Sequence, residues 1–212
     1  VMATISYLMK VDNYTGSYVS TMWPRLKQGL DYYCSQIDGN SYRLILGNNW
    51  ETTSDGYGMY NNSIAYFALR AGAETAAKLG YTADSNNWNN HANSLYNGIE
   101  THLKTATNRA WNNVPNNIGG GSTNRIIPGG TFRYALTTSG ADVDGCRAGW
   151  FGFGSQEELF YGLKGDSTPS WRLASDIMVD YFTNNYWPDW KAYGHNQGFG
   201  TDYGVLSERG GW

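Results

Sequence analysis

Three long stretches of the chain place apolar residues at steps of three and four, the spacing that lines one face of an α-helix. They run from about Tyr18 to Ile37, from about Asn62 to Leu79 and from about Asp84 to Lys104. A half-buried strand would instead alternate apolar and polar residues. Only two short segments, from Ser41 to Leu46 and from Thr131 to Leu136, leave room for a strand. The sequence therefore predicts a fold built mainly from helices.

The apolar faces of these helices predict the core. The third helix has the clearest stripe, formed by Trp88, Ala92, Leu95, Ile99 and Leu103. In the first helix, the charged residues Arg25, Lys27 and Asp31 fall opposite the apolar face, so we expect them to face away from the core.

Residues near the helix ends carry further signals. Pro24 is expected in the first turn of its helix, where a missing N–H costs little. Asn61 or Asn62 is expected to cap the start of the second helix. Gly80 stands where a helix C-terminus favours a left-handed residue.

The second half of the chain is less regular. Asn108 to Phe153 contains two glycine clusters and reads as a long irregular segment, a type that is often functional. Helices are predicted from Ser155 to Leu163 and again from Thr168 onward. The end of the chain, from Trp187 to Trp212, is aromatic, rich in glycine and without a period.

The amino-acid composition favours some classes of ligand and disfavours others. The net charge of −3 disfavours nucleic acid as a partner, and no apolar run is long enough to cross a membrane. The 9 Trp and 17 Tyr, together with many Asn, suit a neutral polyhydroxylated ligand, because aromatic faces stack on sugar rings and amides bond hydroxyl groups. The low lysine content favours a secreted protein. The sequence leaves open whether Cys34 and Cys146 pair.

Other chemistries lack their motifs. The His and Cys residues show no zinc spacing, and the glycines form neither a dinucleotide fingerprint nor a phosphate loop. No nucleophile elbow is present. We therefore expect neither a metal nor an organic cofactor.

Several runs of the chain carry a resemblance to a known family. The first run is the helix Tyr18–Tyr33, the next is Asn49-Trp50-Glu51, and the Ala-rich helix Asn62–Gly80 follows. These runs resemble six-hairpin glycosidases, and α-L-rhamnosidases most of all. Near the end, Tyr186-Trp-Pro-Asp-Trp190 and Ser207-Glu-Arg-Gly-Gly-Trp212 are similar to the segments that carry the catalytic base in that family. The chain departs from the family in having Ser207 where a Trp is usual, and in lacking the family's acid-bearing motif.

The resemblance implies an all-α fold, the (α/α)6 toroid of helical hairpins. This chain has helices for about half of such a barrel, so residues 1–212 are expected to form one partial catalytic domain. The remainder of a longer or cleaved polypeptide would then be its partner. The implied function is a glycoside hydrolase that acts on an oligo- or polysaccharide and inverts the anomeric carbon.

Two carboxylic acids are the catalytic candidates. An inverting glycosidase holds its acid and its base about 6.5–9.5 Å apart, which leaves room for the attacking water. Glu208 is the predicted base, because Arg209 beside it would keep it ionised. The acid is expected either upstream of Val1 or at Glu51, since glucoamylases carry their acid in a similar Trp-Glu pair. A salt bridge for Glu208 is the plain alternative.

The remaining candidates are predicted to contact substrate through aromatic rings or polar groups: Trp50, Asp55, Tyr57, Trp187, Trp190, His195 and Trp212. Core packing or turn formation would explain each of them without a ligand. Three other functions stay open: a glucoamylase-like exo-α-glucosidase, an (α/α)-toroid polysaccharide lyase, and a non-catalytic carbohydrate-binding or structural module.

Overall fold

The computed structural model describes residues 17–48, 55–115, 122–133, 135–141 and 177. The chain divides into two compact units. The first comprises Val1–Gly47 and Asn61–His102, and the second comprises Asn48–Tyr60 and Leu103–Trp212. The predicted helices from Ser155 to Leu163 and from Thr168 lie outside the described residues, except for Ile177, which is helical.

The described part of the chain is mostly helical, as predicted. Its helices are α1 (Ser17–Asp38), α2 (Met59–Lys78) and α3 (Thr82–Gly98), and a π-helical segment, Ile99–Leu103, continues α3. Each coincides with one of the three stretches of helical periodicity. None of the helices in the described ranges is long and apolar enough to span a membrane.

Five short strands complete the described structure. They are β1 (Gly47–Asn48), β2 (Asp55–Gly58), β3 (Arg109–Pro115), β4 (Ser122–Ile127) and β5 (Ala135–Thr137). One sheet has the strand order β1-β2-β5, and β3 pairs with β4 in a separate two-stranded sheet. Both β2–β5 and β3–β4 are antiparallel.

The prediction that Asn108 to Phe153 is irregular is wrong for the part that forms strands. The β3–β4 ladder and β5 both fall within it. The register of β3 and β4 shifts between Trp111 and Val114. Such an irregularity interrupts the simple alternation that a period of two would need, so this hairpin gives no clear sequence signal. The segment Ser41 to Leu46 is not a strand, whereas β5 overlaps the end of the other candidate.

Helices α1 and α3 lie side by side and run in the same direction. Lys27 near the middle of α1 bonds Asp84 near the start of α3, and Asp38 at the end of α1 contacts His91 further along α3. Because the residue numbers rise together along both helices, the pair is parallel.

Helices α2 and α3 run in opposite directions, and hydrogen bonds from an arginine to two asparagines join them. Arg70 of α2 donates to Asn89 Oδ1 at 2.9 Å and to Asn93 Oδ1 at 2.6 Å. Tyr66, one turn earlier on α2, packs against Tyr96, one turn later on α3. Residue numbers fall along α2 as they rise along α3, so the two helices form an antiparallel hairpin.

Helix α2 differs from its neighbours in being buried on almost every side. Many of its buried residues are small, which lets neighbouring elements approach closely; they include Ser63, Ala65, Ala71, Ala73, Thr75 and Ala76. By contrast, α1 and α3 each bury one face and expose the other.

The predicted stripe of α3 is confirmed as core. Its five residues, from Trp88 to Leu103, have no exposed surface. Burying a large apolar side chain contributes about 1.5–3 kcal/mol to stability. Arg25 is exposed, as expected, whereas Lys27 and Asp31 are half-buried, because each bonds a residue of α3.

The helix ends give one confirmation and two corrections. Gly80 has φ +82°, and the N–H groups of Gly80 and Tyr81 bond the last carbonyls of α2, which is the Schellman arrangement. Pro24 lies inside α1 rather than in its first turn. The carbonyl that it leaves without a helical partner belongs to Ser20, an exposed residue whose carbonyl can bond water. Asn62 caps nothing, because α2 begins earlier, at Met59.

Candidate active site

A buried asparagine holds the chain segment that leads to Trp50 and Glu51. The amide of Asn62 accepts a bond from Ile45 N–H at 2.7 Å and donates one to Ile45 C=O at 3.2 Å. The Asn62 side chain has no exposed surface. One side chain therefore satisfies both backbone groups of Ile45, as a neighbouring strand would.

The preceding residue on α2 adds a steric contact to the same segment. A Cβ added at Gly47 would collide with the side-chain amide of Asn61, so a larger residue there would require that side chain to move. We refer to Asn61 and Asn62 together as the asparagine clamp. It fixes residues 45–47 against α2 within the first unit.

In the second unit, β2 fixes the chain again after the Trp50-Glu51 segment. Tyr57 of β2 pairs with Leu136 of β5, and a Cβ at Gly56 would lie 2.5 Å from the Leu136 carbonyl oxygen. This close backbone approach requires glycine. In the sequence, Trp50 and Glu51 fall after the residues held by the asparagine clamp and before β2.

Only two of the predicted site residues fall within the described ranges. Asp55 begins β2, and the Tyr57 side chain is buried, with 6 % of its surface exposed. The predicted catalytic pair and the remaining substrate contacts lie outside the described residues: Glu51, Glu208, Trp50, Trp187, Trp190, His195 and Trp212. Their roles stay predictions.

The first unit also contains a charged contact between α1 and α3, which we call the polar seam. It begins at Lys27, whose Nζ lies 2.9 Å from Asp31 Oδ2 and 2.7 Å from Asp84 Oδ1. These bonds, to Asp84 first and Asp31 second, raise the pKa of Lys27. Burial pushes the pKa of Asp31 upward, but the bonds from Lys27 and from Trp88 Nε1 outweigh it and the pKa falls below its usual value.

The polar seam continues at Asp38. Its carboxylate lies 3.1 Å from His91 Nε2 and 2.8 Å from Arg43 Nη1. The hydrogen bond to His91 is the main reason that the pKa of Asp38 is lowered. His91 Nδ1 lies 2.8 Å from the Asn87 carbonyl oxygen. Since a carbonyl and a carboxylate both accept, the two contacts are both hydrogen bonds only when His91 carries a proton on each nitrogen.

Cys34 lies beside the polar seam and is not paired in a disulfide. Burial, reinforced by the negative charges of Asp31 and Asp38, raises the pKa of its thiol to about 12. The reactive form of cysteine is the thiolate, so this environment suppresses nucleophilic chemistry at Cys34.

Among the described residues, no group of three or more His, Cys, Asp or Glu side chains could hold a metal ion. The charged groups of the polar seam are instead paired with one another. That arrangement joins two helices.

Comparison of the chain with protein-family models, with curated proteins and with solved structures finds no match.

Sequence reasoning missed the role of Asn62. Its position near the start of a helical stretch suggested a cap, because Asn is a favoured capping residue. The signal that could have corrected this is the burial of the surrounding helix: a polar side chain inside an almost wholly buried helix needs a hydrogen-bond partner from another segment.

Proposed function

We propose that the chain is a glycoside hydrolase of the α-L-rhamnosidase-like type, with a fold that is about half of an (α/α)6 toroid. It cleaves a glycosidic bond with two carboxylic acids and inverts the anomeric carbon. Glu208 serves as the base that activates water, and Glu51 serves as the acid that protonates the leaving oxygen. The reaction uses no metal and no organic cofactor.

The arrangement of the three helices supports the toroid. A ring of helical hairpins alternates the direction of successive helices, so that every second helix is parallel. Helices α1 and α3 are parallel to each other, and α2 is antiparallel to α3. The burial of α2 on almost every side suits a helix of the inner ring, and the one-sided burial of α1 and α3 suits the outer ring.

The observation that carries the proposal is the asparagine clamp. Catalytic groups must be held within a fraction of an ångström of their working geometry, and they are commonly placed on loops that a rigid scaffold positions. The buried bonds of Asn62 to Ile45 fix the chain just before Trp50 and Glu51. A fixed Ile45 gives the Trp-Glu segment that follows it in the sequence a firm starting point, which suits a loop that presents an acid beside an aromatic ring.

The experiment measures hydrolysis of 4-nitrophenyl α-L-rhamnoside and 4-nitrophenyl α-glucoside by the unmodified chain and by Glu208→Gln and Glu51→Gln. General acid or base help contributes about 10² to 10⁴ in rate. We expect each substitution to lower kcat by about that factor. Glu100→Gln removes a carboxylate from the π-helical segment and is the matched control, expected to leave kcat unchanged.

The outcomes separate the competing functions. Faster turnover of the glucoside would favour the glucoamylase-like enzyme, and an absorbing unsaturated product would favour a lyase. If neither substrate is cleaved while sugars still bind, the chain is a binding module. Equal activity of Glu208→Gln and the unmodified chain would refute the assigned base.

A further inference from the structure

Three aromatic rings form a stack that runs from the core of the first unit to its surface. Trp88 of α3 is fully buried, and the ring of Trp23 on α1 lies 5.5 Å from it. Tyr81, directly before α3, lies 4.9 Å from Trp23 with an angle of 21° between the ring planes. We call these three residues the aromatic stack. Tyr81 is its outermost ring.

The outer ring of the stack is both exposed and fixed. Tyr81 is 45 % exposed, while Trp23 beneath it is only 6 % exposed. Two other large apolar side chains of the described residues are exposed, Tyr32 and Leu46. Tyr32 has no stacked ring beside it: its ring has a tilted contact with Tyr33, with centroids 6.4 Å apart, and its hydroxyl accepts a hydrogen bond from Gln36. Among these exposed side chains, Tyr81 is the one whose ring is stacked nearly parallel on another ring, that of Trp23. Binding a ligand on the Tyr81 ring would therefore cost little side-chain entropy.

Charged groups lie one helical turn from the stack on both helices. Asp84 follows Tyr81 on α3, and Lys27 follows Trp23 on α1. Lys27 Nζ and Asp84 Oδ1 are 2.7 Å apart, with 39 % and 22 % of the two side chains exposed. The pair is thus ordered and still in contact with solvent, where it can exchange hydrogen bonds with a ligand.

We infer that Tyr81, Lys27 and Asp84 form a surface site for one ring of a neutral oligosaccharide. The negative face of an aromatic ring attracts the C–H groups on the flat side of a sugar. Lys27 donates hydrogen bonds and Asp84 accepts them, so the pair matches sugar hydroxyl groups. With Asp31 included, the local charge is −1, which disfavours the phosphates of a nucleic acid that could also stack.

The choice of a sugar as the ligand rests on the proposed glycosidase function, while the site itself rests on the aromatic stack and its charges. The test titrates the ¹⁵N-labelled chain with maltohexaose and, separately, with a hexasaccharide of α-L-rhamnose. The indole N–H signal of Trp23 in the unmodified protein reports binding at the stack. We expect at least one of the two sugars to shift that signal in a saturable way.

Three variants locate the binding. Tyr81→Ala is expected to weaken the affinity about tenfold, the order of one lost aromatic contact. Tyr81→Phe keeps the ring and should retain the affinity. Tyr32→Ala removes an exposed tyrosine outside the stack and is the matched control, with no expected change.

Sugar binding at Tyr81 can be tested independently of the proposed glycosidase activity. Tyr81→Ala is expected to leave hydrolysis of a monosaccharide aryl glycoside unchanged. If Tyr81-dependent binding occurs in a chain without hydrolytic activity, this inference stands and the glycosidase proposal fails. The inference is overturned if neither hexasaccharide shifts the Trp23 signal, or if Tyr81→Ala and Tyr32→Ala have the same effect.

Discussion

The asparagine clamp and the polar seam both join segments of the first unit, but they use opposite chemistry. The clamp is neutral, and its Asn62 amide is fully buried and satisfies both backbone groups of Ile45. The seam consists of ion pairs such as Lys27–Asp31, whose side chains are about two-fifths exposed. The two contacts differ in how much water competes with each bond.

That difference decides how much each contact contributes to stability. A bond buried away from water leaves an unsatisfied partner when it is broken, at a cost of about 1–3 kcal/mol for each group. An exposed ion pair contributes only about 0–1 kcal/mol, because water and salt replace it readily. The clamp should therefore dominate stability, while the seam should dominate the response to pH.

The largest expected effect comes from Asn62→Ala. The change leaves both Ile45 N–H and Ile45 C=O without their partner in a buried site, so the free energy of unfolding should fall by about 3 kcal/mol. Urea unfolding followed by tryptophan fluorescence measures the loss. We also expect lower hydrolytic activity, because the segment before Glu51 is released.

Asn86→Ala is the matched control, because Asn86 is an exposed asparagine on α3. It should change the free energy of unfolding by less than about 0.5 kcal/mol. Equal effects of the two substitutions would mean that the clamp has no special role.

The next largest effect concerns close backbone packing rather than hydrogen bonds. A Cβ at Gly98 would lie 2.6 Å from the Tyr42 carbonyl oxygen and 2.9 Å from that of Arg43. Gly98→Ala should therefore lower the free energy of unfolding by about 1–3 kcal/mol, the usual cost of overpacking. Thermal and urea unfolding of the variant measure this loss.

Gly29→Ala provides the opposite control. Gly29 lies in α1 and has nothing within 4 Å of an added Cβ. Alanine should stabilise the helix there by up to about 1 kcal/mol. If both alanine variants shift stability in the same direction, backbone crowding at Gly98 is not the determining factor.

The smallest effect is the pH response of the polar seam. The pKa values of Asp31 and Asp38 are lowered in the folded chain. Their contribution is therefore present above the unfolded pKa, about 3.9, and is lost as the pH falls through the lower folded values. The free energy of unfolding should decline below about pH 4, and Asp38→Asn should make that decline shallower.

The same titration sharpens the contrast between the two contacts. Asn62→Ala should lower the whole stability curve without changing its slope between pH 2 and pH 5, because the clamp carries no ionisable group. A slope altered by Asn62→Ala and unaffected by Asp38→Asn would reverse the assignment of the two roles.

The helices and their core were predictable because amphipathic spacing is a local signal. Trp88, Leu95 and Leu103 are buried as their period predicts. The polar contacts between helices were not predictable, since each joins residues far apart in sequence. Lys27 and Asp31 looked solvent-facing on their own helix, where they bond each other, and the parallel approach of α3 adds Asp84 and Trp88 as partners.

In the candidate site, too, contacts between distant residues could not be predicted from the sequence. Motif resemblance could point to Glu51 and Glu208, but it could not show that Asn62 bonds Ile45, which lies on a separate segment. Strands β3 and β4 were missed because their register shift hides the alternation. Non-local pairing of this kind leaves no local pattern in the sequence.

The proposed hydrolase uses two carboxylic acids of this chain to cleave a glycosidic bond with inversion. The most direct measurement is a ¹H NMR time course of the unmodified chain acting on 4-nitrophenyl α-L-rhamnoside. We predict that β-L-rhamnose appears first and that the α-anomer follows only by mutarotation. Initial release of α-L-rhamnose would contradict inversion, and the absence of any released sugar from this glycoside and from the α-glucoside would contradict the hydrolase itself.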